Sequence, residues 1–536
     1  MKPPSNKKVL DIHWPITIVS VAILLFMVGF LALRPDLTVD AINRIFNAAM
    51  SGLGPFMLLL DIFLIVICFW FAFSKYGRIK LGEGKPEYSM FSYIAMMACA
   101  ALASASMFWS FTEWAYYNVT PGLGLEAMSL EAMEVSMGYA FFHWGFLAQC
   151  VYAAVGLVTA YAIYVRKMKT TRLSAIAEEM MGGFRYKKIF AKIIDLIVVF
   201  CTLGGLGVSL GLGIPVIAGG INRVTGIEVT FSLQVLIVVA LGVIFSWSSF
   251  VGTGRGMKFL SDNTVKLLFV LLIFIVIAGP TEFIQKIFVS SLGAMIQHMP
   301  AMATFTDPIV NSGFAEAWTI FFIAFPLTYA GLMGVFVAQI SKGRSVRSLI
   351  LSCMLGISIG TWVFFSVDGG LAMHREITGQ FSMINEVMNG DPYRGVFTLL
   401  DTLPLGAISA TVYTVCVIGF ICTTLDSASL ALAATTAKSL DENNNPSPII
   451  RLFWCVMLTL IPLALLFSGA SFDALKQVAI LVSTPLGLVL LLMVFGLLRW
   501  MKEDRKKAGM LLLVRDEMDD MIQLNRTEDP DDDLVA

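Results

Sequence analysis

Apolar stretches of about 20 residues, each long enough to cross a roughly 30 Å hydrocarbon layer, recur along nearly the whole chain. Twelve can be read, at residues 14–33, 52–73, 90–113, 136–164, 190–217, 229–251, 264–281, 316–340, 348–367, 406–433, 449–468 and 477–499. In lipid every backbone N–H and C=O must find its partner within the protein, so such a chain is restricted to a bundle of helices. No hydrophilic segment exceeds about forty residues, which leaves no room for a soluble domain. A content of 57% hydrophobic and 14% charged residues agrees. The expected fold class is an all-α integral membrane protein.

Charge placement orients the bundle. With "MKPPSNKK" inside, inside segments hold 29 of the 37 Lys and Arg. Seven lie outside (Arg34, Arg44, Arg223, Lys286, Arg375, Arg394 and Lys476), and Lys266 falls within a span, where snorkelling is its simplest role. The positive-inside rule then predicts both termini in the cytoplasm of a bacterial inner membrane and an even number of spans. The first apolar run is a full span with no small-residue cleavage site, so no cleavable signal is expected. Eight Cys without paired spacing support neither a disulfide framework nor a zinc site. The tail ends "TEDPDDDLVA", a solvated acidic end. Nothing points to nucleic acid. P-loop, zinc-helix and nucleophile-elbow patterns are absent, which excludes ATP-driven pumps and most membrane enzymes. A carrier driven by an ion gradient remains, with a non-transporting membrane sensor as the alternative.

The spans divide as two plus five plus five. Residues 1–13 form a cytoplasmic start, 14–89 two peripheral spans, and 90–292 a first five-helix unit. Residues 293–499 form a second unit of opposite orientation, and 500–536 a polar tail. Within the first unit, "EFIQKIFVSSLGAMIQHMP" reads as a helix lying on the outer surface. Each unit begins with an odd helix. One holds "LASASMFWSFTEWAYY", small then aromatic then acidic; the other holds "FFIAFPLTYAGLMG", interrupted by Pro326, Gly331 and Gly334. Interrupted helices at matching positions of inverted repeats point to a midplane binding site. Harmless kinking is the alternative, since Pro and Gly are ordinary in spans.

Carboxylates inside lipid are costly unless paired or wet. Glu113 closes the third span and reads equally as a functional group or an interfacial helix end, with Trp114, Tyr116 and Tyr117 as an aromatic belt. Asp61, Asp195 and Asp426 are the carboxylates a proton route would use.

Several motifs, in order, carry a resemblance. "AQISKGRSVRSLI" (338–350) resembles the cytoplasmic loop of the betaine/carnitine/choline transporters, where a span ends in Ile-Ser-basic-Gly-Arg. "SMFWSFTEW", "FFHWGFLAQCVY", "RGMKFLSD…AGPT" and "TDPIVNSGFAEAWTIFF" are similar to other family segments, so that the likeness runs from about residue 14 to 500. The chain is identified as a divergent member. The resemblance implies a LeuT-like five-plus-five inverted repeat preceded by two helices, homotrimeric assembly in membrane lipid, and uptake or exchange of zwitterionic or cationic quaternary ammonium solutes such as betaine, carnitine or choline.

Departures from the family matter for the site. Where members carry Gly-x-Gly-x-Gly, this chain has Ala101, Ala103 and Ala105; Ala is more restricted in backbone than Gly, yet still permits close approach. Two Trp of the family's eighth span correspond to Phe325 and Pro326, and Gln149 stands where another Trp is common, while Trp144 and Tyr152 match family aromatics. A cation gains on the order of 2 kcal/mol over a desolvated Trp face and less over Phe. Trp109, Phe321 and Tyr329 are candidates to rebuild a cage, with Ala103 and Ser104 lining it. The alternative cargo is a bulkier or less methylated amine, or a sulfonium solute. For coupling, Phe420, Thr423 and Thr424 lie where sodium-dependent relatives supply oxygens, with carbonyls near Cys99 and Leu102 completing a Na+ site. Against this, Thr hydroxyls in spans commonly bond back to their own helix. Sodium-independent exchangers carry an Arg where this chain has Thr264.

Overall fold

The computed structural model describes residues 12, 14–101, 104–251, 256–437, 446–468 and 472–527, among which all regular structure is helical apart from two isolated bridges. Two helices lead, α1 (Trp14–Leu33) and α2 (Pro35–Phe73). The first unit contains α3 (Met90–Ala101), α4 (Ser104–Val119), α5 (Leu130–Phe142), α6 (Ala148–Tyr164), α7 (Leu173–Met180), α8 (Lys187–Thr225), α9 (Phe231–Val251) and α10 (Gly256–Ala278). Then follows α11 (Thr281–Thr304). The second unit contains α12 (Ile320–Thr328), α13 (Ala330–Ile340), α14 (Val346–Leu351), α15 (Ser358–Ile377), α16 (Met383–Asn389), α17 (Pro392–Leu400), α18 (Gly406–Thr436), α19 (Pro448–Ser468) and α20 (Phe472–Thr527).

Among the described residues, seven continuous helices and one bent pair are long and apolar enough to span a membrane. The other four expected spans fall on α1, α3 with α4, α9 and α19. The spans read at 52–73, 190–217 and 477–499 are portions of helices of 39, 39 and 56 residues. Hydropathy marks only the apolar part of a helix. Pro35, at the first helical position where its missing N–H costs nothing, lets α2 start well before its apolar run. The seventh span stops at Ala278 because Gly279 and Pro280 end it, and α11 starts at Thr281 rather than continuing it. α11 is the expected surface helix and packs on α5 and α15.

Packing between the two units is reciprocal. α6 lies against α13, and α3 against the π-helical turn Ser352–Ile357 that precedes α15. α4 lies against α15, and α12 against α6. α8 packs on α20 as α18 packs on α10, while α8 meets α18 and α9 meets α19. Exchanging the two units leaves this pattern unchanged, which is what a pseudo-two-fold axis between inverted repeats produces. Both second helices also carry a π turn, at His143–Leu147 and Ser352–Ile357. The architecture is the LeuT-like inverted repeat with two added helices.

Both ends of the described chain lie at one end of the bundle. Ile12 bridges Ala437 at the close of α18, and Arg166 donates to the Trp500 carbonyl late in α20. Lys80 bridges Ser345 at that same end. The opposite end carries α11, α16 and α17.

Candidate functional site

The first helix of the second repeat is interrupted. α12 and α13 meet at a 61° bend. Pro326 supplies no N–H to the turn before it, the Thr328 hydroxyl donates to the Phe325 carbonyl at 2.6 Å, and Tyr329 takes φ −100°, ψ 3° between the two helices. The expected interruption is therefore real but sits at Thr328–Tyr329. Gly331 and Gly334 lie inside the continuous α13, where a Cβ at Gly334 would stand 2.9 Å from Val155. Gly205 of α8 accommodates the bend, since a Cβ there would be 2.2 Å from Thr328 Oγ1. In the first repeat α3 ends at Ala101 and α4 begins at Ser104. Leu102 and Ala103 lie outside the described residues, as do the side chains of Cys99, Ala101 and Ser104.

A column of rings runs from α4 along α12. Trp109 on α4 meets Trp318 at 5.3 Å, centroid to centroid, and Tyr116 meets Trp318 at 5.6 Å. Phe321 follows, 5.2 Å from Phe322 and 5.3 Å from Phe325, and Phe325 lies 5.4 Å from Tyr329. Trp144 joins from the side, 5.3 Å from Phe322 and 5.1 Å from Phe365. The structure thus brings together Trp109, Trp144, Phe321, Phe325 and Tyr329. Tyr152 and Gln149 are buried on α6, the helix on which α12 and α13 pack. Gln149 Nε2 donates to the Trp144 carbonyl at 3.0 Å, while its buried Oε1 has no hydrogen-bond partner. A buried acceptor left open is uncommon and calls for a ligand or water.

The rings are held by a polar chain. Glu113 is wholly buried, not interfacial. Its Oε1 accepts from the Tyr117 hydroxyl at 2.5 Å and its Oε2 from the Trp144 indole N–H at 2.6 Å. The Tyr117 oxygen is 2.7 Å from His143 Nδ1, and His143 Nε2 is 3.2 Å from Thr319 Oγ1. With Tyr117 donating to Glu113, the chain closes when His143 is the Nδ1–H tautomer and Thr319 donates to Nε2; the other tautomer reverses both contacts of the ring. The π turn makes this possible. Its extra residue turns both His143 and Trp144 inward, with Gly145 at φ −94°, ψ −119° beneath Trp362, whose Nε1 would be 2.6 Å from a Cβ there. Trp114 and Tyr117 are buried in protein and Tyr116 joins the ring column, so the three residues are not a lipid-facing aromatic belt. Hydropathy locates a residue along a helix but not around it.

Of the expected intramembrane carboxylates, Asp195 pairs with Arg172, and Asp426 pairs with Arg451 at 2.8 Å. Each of these two carboxylates is thus engaged by an arginine. Asp61 accepts from the Cys150 thiol at 3.1 Å. Asp368, not singled out from sequence, accepts from Ser110 at 2.7 Å. On α18, the Thr423 and Thr424 hydroxyls both donate to the Phe420 carbonyl, at 3.0 and 2.8 Å. Each hydrogen is thereby engaged while the oxygen lone pairs stay available. Thr264 of α10 packs on Gly419, one residue before Phe420, where a Cβ would be 2.0 Å from its Oγ1. Lys266 is exposed, in keeping with snorkelling. Among the described residues no group of three or more His, Cys, Asp or Glu is arranged to hold a metal.

Sequence reading missed Trp318, His143, Thr319 and Lys476. Trp318 and His143 stand in motifs that were available, "AEAWTIFF" and "FFHWG". Lys476, counted as a loop residue, is in fact buried on α20.

A profile described as "BCCT, betaine/carnitine/choline family transporter" matches residues 15–506. The carnitine transporter of Acinetobacter baumannii is 35% identical over 474 residues, 88% of this chain and 86% of that protein. The uncharacterized transporter YeaV of Escherichia coli is 36% identical over 450 residues, 84% and 92% of the two chains. The ectoine/hydroxyectoine transporter of Virgibacillus pantothenticus is 31% identical over 497 residues, 92% and 97%. Among solved structures, MhsT in complex with L-phenylalanine aligns over 76% of this chain and 89% of its own, at 14% identity and a TM-score of 0.47. A substrate-bound, outward-open Na+-coupled sialic acid symporter aligns over 84% and 86%, at 15% identity and a TM-score of 0.45.

Proposed function

We propose a cargo and a coupling ion for this chain, which belongs to the betaine/carnitine/choline transporter family. The protein is a secondary solute transporter, not an enzyme. The cargo is a small zwitterion that carries a quaternary or delocalised cation together with a carboxylate, of the betaine, carnitine or ectoine kind. The observation that carries this reading is the run of rings along the bent pair α12 and α13, in which Phe321, Phe325 and Tyr329 follow one another and Trp144 joins through Phe322. Aromatic faces attract a poorly hydrated cation once water is excluded. With Phe in place of two Trp the cage is softer, and Gln149 Oε1 offers an acceptor to a solute hydroxyl or N–H. Relatives named for carnitine and for ectoine support the same class.

Transport follows from alternating exposure of these rings as one repeat rocks against the other. The end of the bundle that holds both termini is the cytoplasmic one, as the Lys and Arg distribution requires, and the chain assembles as a homotrimer in a bacterial inner membrane. Removing one ring tests the cage. Phe325→Ala is expected to raise the transport KM about tenfold, the loss of roughly 1–2 kcal/mol of cation–π attraction, with normal membrane insertion; an unchanged KM takes Phe325 out of the site. The cargo itself is read from thermal stabilisation of purified protein across betaine, carnitine, choline, ectoine and sulfonium compounds.

Sodium is the proposed coupling ion, held by Thr423 and Thr424 hydroxyl oxygens on α18 with carbonyls near Cys99 and Leu102. Sodium is hard and prefers oxygen, and a hydroxyl whose hydrogen already points at the Phe420 carbonyl presents lone pairs to it. Thr423→Ala with Thr424→Ala is expected to weaken sodium stimulation of uptake severalfold. Parent protein indifferent to sodium ends this part of the reading.

A further inference from the structure

We propose that Lys476 sets the preference of the outer approach for zwitterions over bare organic cations, offering its ammonium to the solute carboxylate and repelling a solute that is only positive. The inference rests on the zwitterion reading and the orientation given with it. Lys476 lies in the second turn of α20 with 5% of its surface exposed. Its Nζ stands 4.2 Å from the centre of the Trp318 ring and 5.8 Å from that of Phe321. The Ala317 carbonyl is 3.4 Å away and Asp473 Oδ1 3.1 Å away.

The same Trp318 is boxed by Trp109 at 5.3 Å, Tyr116 at 5.6 Å and Tyr117 at 4.9 Å. An aromatic box with the chemistry to hold an organic cation is already engaged by the protein's own ammonium. A solute bearing only a cation meets a like charge there, and burial strengthens that repulsion. A zwitterion meets the opposite situation. Its carboxylate faces the ammonium while its cation reaches Phe321 and, one ring further, Phe325.

The anion that pairs with Lys476 in this structure is replaceable. Asp473 has a side chain 76% exposed and sits three residues away on the same helix. Only the carboxylate end of this pair is open to water, which competes for it, while the ammonium is buried. An incoming carboxylate can take its place without leaving a buried charge unpaired. Buried Glu113 accepts from the hydroxyl of Tyr117, which packs on Trp318, so a carboxyl group stands one residue behind the same aromatic box.

Glycine betaine and choline share a trimethylammonium head and differ in the carboxylate, so they separate the two halves. In proteoliposomes the parent is expected to favour betaine over choline at least tenfold, in apparent affinity from mutual inhibition of uptake. Lys476→Gln is expected to shrink that ratio about tenfold by weakening betaine and strengthening choline, as loss of a complementary charge does. Lys476→Arg keeps the ordering. Asp473→Asn strengthens betaine severalfold by removing the competing carboxylate, with thermal unfolding read beside uptake because the buried ammonium loses an anion. A ratio unmoved by Lys476→Gln, equal weakening of both solutes, or betaine affinity indifferent to Asp473→Asn overturns the inference while the cargo reading stands. Parent protein that takes up neither solute, nor any zwitterion of the panel above, overturns both.

Discussion

Glu113→Gln is expected to lower initial uptake by about 10–150-fold while the protein still inserts and folds. Both carboxylate oxygens are acceptors here, one for the Tyr117 hydroxyl and one for the Trp144 indole N–H. An amide has one acceptor oxygen and one NH2, so whichever way it turns, a donor confronts Tyr117 or Trp144. If the amide faces Trp144, two N–H groups oppose each other in a fully buried place. If it faces Tyr117, the hydroxyl must reverse and donate to His143 Nδ1, so the imidazole must change tautomer and every hydrogen bond from Tyr117 to Thr319 must run the other way. Removing one partner of a buried hydrogen bond costs roughly 1.5–3 kcal/mol, which is the stated span of rate at about 1.4 kcal/mol per tenfold. The loss falls on transport because the chain Glu113–Tyr117–His143–Thr319 ties α4, the π turn before α6, and the π turn before α12. The first two belong to the first repeat and the π turn Ala315–Thr319 opens the second, so the chain crosses from one repeat to the other. Uptake in proteoliposomes, read beside thermal unfolding in detergent, separates the two effects. A lowered melting temperature with parental uptake reduces the chain to scaffolding. Tyr117→Phe combined with Glu113→Gln is expected to fall short of the sum of the single losses, as for neighbours in one network.

Much of the fold was legible because the bilayer removes alternatives. Once lipid forbids unpaired backbone, apolar runs become helices, and charge asymmetry gives their direction. The inverted repeat was legible as five plus five, and the reciprocal packing of α6 with α13 and α3 with the second π turn follows it. Helix ends were less so. Continuation of a helix depends on breakers such as Gly279–Pro280 and not on hydropathy, which is why α2 and α20 outrun their apolar cores. The site divides the same way. Phe325 and Trp144 were found through motifs, and they do meet through Phe322 and Phe321. Lys476 was not, because its partner Trp318 is far away in sequence and a span-by-span count placed it outside. Glu113 was found but its surroundings were not; burial against Tyr117 and Trp144 depends on which face of α4 turns inward, and the π turn that aims Trp144 has no signature in the apolar pattern.

The second large effect concerns the ion pair of Asp426 and Arg451. Asp426 on α18 is 1% exposed and Arg451 on α19 is 4% exposed, with 2.8 Å between guanidinium and carboxylate. Arg451 also reaches Ser429 at 3.4 Å. Breaking a buried pair from one side leaves a charge without water or partner, at about 3–5 kcal/mol. Arg451→Met is therefore expected to lower the melting temperature steeply and to reduce the amount of folded protein in the membrane. Asp426→Leu with Arg451→Met removes both charges, and replacing a whole pair by apolar groups is often neutral or stabilising; the double variant should recover most of the loss. Arg451→Met as stable as the parent would show that the pair contributes nothing. Asp195 on α8 and Arg172, just before α7, form a less enclosed pair, since the arginine side chain is 27% exposed. Asp195→Leu should cost correspondingly less, because water can reach the guanidinium left behind. Uptake then assigns the role of the enclosed pair: a double variant that regains stability and transport makes it a packing element, whereas one that regains stability alone places α18 and α19 among the parts that must keep their register as the repeats rock.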